Sequence, residues 1–240
     1  NRCQLQLSMN QQRETKIMKQ NSLKSFSVVR LYVIISSGLA KKPILETLQE
    51  VIQGGADAVQ LREKTMSDSE FLALAKEFRR ITSQSKILFV VNDRAEIAKK
   101  VGADGLHIGQ SDLNIHHARK IIGYDRILGV STHTIVQARK AQQEGADYIS
   151  VGPIFPTPTK DYEPPVGLDY LKEVKREITI PFVAIGAINL ENLNEILLAG
   201  GLRVAICSAI ICSNDILQTT RSFKAQIVNP PFKFQLFTRY

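Results

Sequence analysis

Residues 87–109, "ILFVVNDRAEIAKKVGADGLHIG", hold an apolar β-branched run (87–91), a short helical segment (94–101) and a second such run (105–109). The same unit recurs on both sides. Upstream, "LYVII" (31–35) leads into a helix-length stretch from Pro43 to about Gln53, and "AVQLR" (58–62) leads into a helix over 67–82. Downstream, a helix from about residue 113 precedes "RILGV" (126–130), and a helix over 134–144 precedes "YISVGPI" (148–154). A helix near 167–177 precedes "FVAIG" (182–186), one at 190–199 precedes "RVAICSA" (203–209), and a last helix lies near 214–227. Short β-rich runs alternating with helical segments predict right-handed βαβ units and a parallel sheet. Eight units closing on themselves make a single (β/α)8 TIM barrel, expected over residues 30–228; an open doubly wound sheet usually has fewer strands. The length of 240 residues suits one such barrel.

The flanks read differently. Residues 1–29 are expected to be a poorly ordered N-terminal extension. Its first 17 residues are polar and lack a signal peptide's apolar core, and "MKQNSLKSF" from Met18 reads like a natural start. Residues 229–240, "NPPFKFQLFTRY", form a C-terminal tail whose prolines argue against a continuing helix. The net charge of +8 sits in these flanks. Residues 1–30 carry six bases and one acid, residues 221–240 four bases and no acid, and the remainder 21 bases against 22 acids. The middle therefore has no basic footprint for a nucleic-acid partner. No apolar run approaches a membrane span. Cys3, Cys207 and Cys212 are odd in number and unclustered, as expected of a reduced, cytoplasmic protein. A homo-oligomer is compatible with all of this.

Chemistry in such a barrel gathers at the C-terminal ends of the strands. The second strand ends in "QLREK", where Gln60, Arg62 and Lys64 alternate and share one face. An amide, a guanidinium and an ammonium aimed together suit a phosphate or diphosphate; the plainer reading is a solvated loop. Asn92 and Asp93 end the third strand, and Asp112 follows the fourth. Each could be a helix N-cap, whereas two carboxylates beside a diphosphate would hold Mg²⁺. His107 is read as packing within the fourth strand. Ser131, after the fifth, could donate to a phosphate oxygen or a ring nitrogen. Thr132 or Thr134 caps the next helix, and His133 is a loop histidine. The sixth strand delivers Thr157, Thr159 and Lys160 on a loop stiffened by Pro156 and Pro158. Gly186 and Ser208, after the last two strands, lie where this fold usually cradles phosphate.

In order and spacing, "QLREK", "ND", "HIGQSD", "GPIFPTPTK" and the pair "AIGAI" and "ICSAI" resemble the thiamine-phosphate synthase family over about residues 30–215. The resemblance implies a Mg²⁺-dependent transferase. It would join 4-amino-2-methyl-5-hydroxymethylpyrimidine diphosphate to hydroxyethylthiazole phosphate, releasing pyrophosphate. It further implies that Gln60, Arg62, Lys64, Asn92, Ser131 and Lys160 hold the pyrimidine diphosphate. Asp93 and Asp112 would bind the metal. Thr157, Thr159 and the turns after Gly186 and around Cys207 and Ser208 would hold the thiazole phosphate. The electrostatic work would fall to Arg62, Lys64, Ser131 and Lys160.

Two positions depart from the family's pattern. Ala187 stands where it usually has glycine, so a φ > 0 there would be strained, and Arg203 also replaces a usual glycine. Arg203 is expected at the N-terminal, stability side of its strand. Two rival readings are a thiazole tautomerase of the same superfamily, which shares the Ser131-x-His133 pattern, and a non-catalytic phosphate-binding barrel. Asp93, Asp112 and Lys160 favour the synthase.

Overall fold

The computed structural model describes residues 26–156 and 164–231. Eight parallel strands close in sequence order: β1 (Leu31–Ile35), β2 (Ala58–Leu61), β3 (Leu88–Asn92), β4 (Gly105–Ile108), β5 (Ile127–Thr132), β6 (Tyr148–Val151), β7 (Phe182–Ile185) and β8 (Val204–Ile206). β8 pairs with β1 and completes the expected TIM barrel. The surrounding helices are α1 (Ile44–Gln53), α2 (Asp68–Ser85), α3 (Ala95–Val101), α4 (Ile115–Ile122), α5 (Ile135–Gln143), α6 (Gly167–Glu177), α7 (Leu193–Ala199), α8 (Ser208–Ile211) and α9 (Ile216–Val228). The four-residue α8, directly after β8, has no counterpart among the sequence expectations.

Alternation along each strand divides the core in two. Leu31, Val33 and Ile35 of β1, with Val59, Leu61, Phe89 and Val91, face the helices. Tyr32, Ile34, Ala58, Val90, Ile127, Tyr148, Val183 and Ala205 fill the barrel interior. Buried on both faces, the strands read as continuous apolar runs. The interruptions, Gln60, Asn92, His107 and Ser150, are buried polar residues that line the lumen.

The floor is closed from below. Phe26 and Val29 are fully buried, and Phe26 stacks on Tyr148 with ring centroids 4.3 Å apart. Phe26 and Val29, expected within the N-terminal extension, thus pack against the barrel. Gly-Ala-Asp recurs before β2, β4 and β6. Asp57 accepts from the N–H groups of Arg30 (2.8 Å) and Leu31 (2.9 Å), Asp104 from Phe89 (2.8 Å) and Asp147 from Leu128 (2.9 Å). Each carboxylate thereby fixes the start of the preceding odd strand. Each also pairs with a cation from a helix: Asp57 with Lys224, Asp104 with Arg79 and Asp147 with Arg119. The corresponding residue before β8 is Arg203. It lies at the floor, as expected, and donates to Ser27 O (2.8 Å).

Candidate active site

At the upper rim, the positions read as ambiguous caps separate cleanly. α3 is preceded by Arg94 without a side-chain cap, so neither Asn92 nor Asp93 caps it. α4 is capped by Asn114, not Asp112, and α5 by Thr134. Asp93 adopts φ 61°, a left-handed turn that aspartate tolerates. Its carboxyl lies beside that of Asp112, and Lys64 forms an ion pair with it. Burial and the neighbouring Asp112 raise the Asp93 carboxyl above its ordinary value. Burial also works to raise Asp112. The Asp93 carboxyl and the Gly109 N–H (2.7 Å), with the nearby Lys64 charge, outweigh it and hold Asp112 below its ordinary value. The loop bearing Lys64 is anchored by Arg94, which reaches the Glu63 and Met66 carbonyls and lies 4.6 Å over the Phe71 ring.

Below the rim is a pocket lined by Gln60, Arg62, Asn92, Ser131, Gly186, Ala187, Cys207 and Ser208, all expected from the sequence. Tyr32, His107, His133, Tyr148 and Ser150 line it too and were not assigned to it. His107 does more than pack. Its Nδ1 lies 2.9 Å from Tyr148 Oη and its Nε2 3.0 Å from Ser131 Oγ. Gln60 Nε2 donates to Tyr32 Oη (2.8 Å), which lies 3.3 Å from Tyr148 Oη. Gly129 makes these contacts possible. A Cβ there would stand 2.1 Å from the Tyr148 ring and 2.5 Å from His107 Nδ1. The sequence signal for this network was present, a histidine and tyrosines at inward positions of apolar strands.

The β7 side is tightly built. Gly186 has φ 113°, and a Cβ on it would sit 2.4 Å from Pro153 Cα. Ala187 has φ 48°, so the strain expected at this departure is present, and its carbonyl accepts from Asn192 Nδ2 (3.0 Å). Cys207 precedes α8, and burial pushes its thiol up to about 11. It is therefore a neutral wall rather than a nucleophile. His133 Nδ1 lies 2.5 Å from Gly152 O, which orients the ring. Thr157, Thr159 and Lys160 lie outside the described residues, as does Cys3. Among the described residues no group of three or more His, Cys, Asp or Glu side chains could hold a metal, and no helix is long and apolar enough to cross a membrane.

Comparison with known proteins points one way. The family model described as "Thiamine monophosphate synthase" matches residues 31–210. A thiamine-phosphate synthase of Alkaliphilus oremlandii is 44% identical over 198 residues, covering 82% of this chain and 95% of the relative. That of Shouchella clausii is 41% identical with the same coverage. A solved thiamine phosphate pyrophosphorylase from Pyrococcus furiosus superposes with a TM-score of 0.78 at 34% identity, covering 83% of this chain and 96% of that one.

Proposed function

The chain belongs to the thiamine monophosphate synthase family of transferases, and from that premise we propose which residues carry the transfer of the pyrimidine group. The observation that supports this assignment most is the meeting of Asp93, Asp112 and Lys64 directly above a pocket lined by Gln60, Arg62, Asn92 and Ser131.

The pyrimidine diphosphate enters with its ring down among Gln60, Asn92 and Ser131 and its diphosphate at the rim. The C–O bond to the diphosphate breaks, and its electron pair leaves with pyrophosphate. The benzylic-type carbon left positive is attacked by the thiazole nitrogen. Arg62 and Lys64, with Lys160 from the β6 loop, compensate the charge that grows on the departing oxygens. Such preorganised groups act best in a site that excludes water. Ser131 donates a hydrogen bond. Thr157 and Thr159, with the turns at Gly186–Ala187 and Cys207–Ser208, hold the thiazole phosphate.

Asp93 and Asp112 suit Mg²⁺, because two adjacent carboxylates that resist ionising together are relieved by a shared cation. This ion typically takes one or two carboxylates and completes its shell with phosphate oxygens and water. When bound, it would supply charge neutralisation to the diphosphate. Lys64 would then turn from Asp93 to the substrate.

The test is direct. Purified protein is incubated with both substrates and Mg²⁺, and thiamine phosphate is detected after oxidation to a fluorescent product. Turnover that disappears in excess chelator and returns with Mg²⁺ is expected. Full turnover by metal-stripped protein would overturn the role of the two aspartates.

A further inference from the structure

We infer that the chain Gln60–Tyr32–Tyr148–His107–Ser131 is a directional hydrogen-bond relay, with Tyr32 and Tyr148 as positioning residues that select an amino- over an oxo-pyrimidine. The inference deepens the assignment of the pyrimidine diphosphate to this pocket and rests on it.

The five side chains come from β2, β1, β6, β4 and β5 and cross the lumen. Each phenol or hydroxyl has one hydrogen to give, and a neutral imidazole has one N–H. Such a chain runs in one of two senses, and fixing one end fixes the other. Gln60 Nε2 donates to Tyr32 Oη at 2.8 Å. The Tyr32 hydrogen then points to Tyr148 Oη (3.3 Å) and the Tyr148 hydrogen to His107 Nδ1 (2.9 Å). His107 Nε2–H donates to Ser131 Oγ (3.0 Å), and the Ser131 hydrogen remains for a ligand.

In this sense Gln60 offers its carbonyl oxygen to the pocket. That oxygen accepts from an exocyclic amino group and opposes an oxo group, oxygen against oxygen. The opposite sense would present the Gln60 NH₂ and reverse the preference. Tyr32 and Tyr148 are 2% and 0% exposed, so water does not exchange for either partner. Burial also raises both phenols, which keeps them neutral donors at neutral pH.

Two measurements decide it. In the wild-type protein with ¹⁵N-labelled histidine, the His107 nitrogen shifts should report a neutral ring protonated at Nε2. Protonation at Nδ1 overturns the relay whether or not the protein turns over, which separates this inference from the functional assignment. Calorimetry then compares the 4-amino-pyrimidine diphosphate with its 4-oxo counterpart. Tyr32→Phe should release the Gln60 amide and cut the amino-over-oxo preference about tenfold, leaving thiazole phosphate affinity unchanged. Tyr148→Phe breaks the same chain one bond along and should act alike; it carries the comparison if Tyr32→Phe fails to fold. Wild-type preference in both variants overturns the inference. If wild type binds neither pyrimidine, the functional assignment fails, and the histidine tautomer still decides the relay.

Discussion

The Asp93 carboxyl is held above its ordinary value by burial and by Asp112, and the Lys64 ion pair offsets only part of this. The folded protein therefore binds the Asp93 proton more tightly than the unfolded chain does. Stability from this group is full below the unfolded value of 3.8 and falls as pH rises through the raised folded value. At neutral pH the ionised, metal-free pair thus carries a cost. Asp93→Asn should raise the melting temperature of metal-free protein at pH 7, with the gap closing towards pH 3.8. Mg²⁺ should raise the melting temperature of wild type and not that of the variant, as scanning calorimetry with and without the ion will show. Asp112 works in the opposite sense. It is held low, so its contribution is lost only as pH falls below its ordinary value. Ala187 stores a different cost. At φ 48° an L-residue loses roughly 1–2 kcal/mol, and glycine escapes this while spending about 0.4–1 kcal/mol on a freer unfolded chain. Ala187→Gly should therefore be neutral to stabilised, by up to roughly 1.6 kcal/mol. It should lower the Michaelis constant for the thiazole phosphate and leave that for the pyrimidine diphosphate nearly unchanged, which steady-state kinetics with each substrate varied in turn will check.

At the scale of strands and helices, most boundaries were legible because a parallel barrel buries each strand on both faces and each helix on one. α6 falls on its expected residues, 167–177, and α2 runs only three residues beyond its expected end. What stayed hidden depends on tertiary contact. α8 is too short to show a period. The roles of Asn92, Asp93 and Asp112 could not be separated from capping, because a cap and a ligand use the same residue types. His107 looked like packing because its partners, Tyr148 and Ser131, lie 41 and 24 residues away. The Gly-Ala-Asp repeat was visible but carried no meaning until the strand registers were known. It now ranks three substitutions. Asp147 and Arg119 are 5% and 6% exposed, and Arg119 also serves the carbonyls of Gly123, Gly145 and Arg126. Removing one partner of such a pair leaves a buried charge and typically costs ~3–5 kcal/mol. Asp147→Asn should thus be the most destabilising of the three in urea unfolding. Asp57→Asn and Asp104→Asn, whose ion pairs are 21–32% exposed, should each cost less.

Across the whole molecule, floor and mouth are joined through one side chain. Phe26 stacks beneath Tyr148, and Tyr148 holds His107, which holds Ser131 at the pocket. The residues just before β1 are therefore linked, contact by contact, to the pocket at the other end of the barrel. Removing residues 1–17, so that the chain starts at Met18, leaves Phe26 in place and should preserve stability and turnover. Phe26→Ala removes a fully buried ring, a change that typically costs ~3–5 kcal/mol. It should also loosen Tyr148 and reduce the amino-over-oxo preference without altering the affinity for the thiazole phosphate. A smaller ring-filling change, Phe26→Leu, keeps most of the volume and should lose less of both. The two effects are read separately, stability by urea unfolding and selectivity by calorimetry well below the unfolding midpoint. If Phe26→Ala is destabilised but keeps full selectivity, the floor supports the fold alone, and the orientation of Tyr148 is set by Gly129 and the rings beside it.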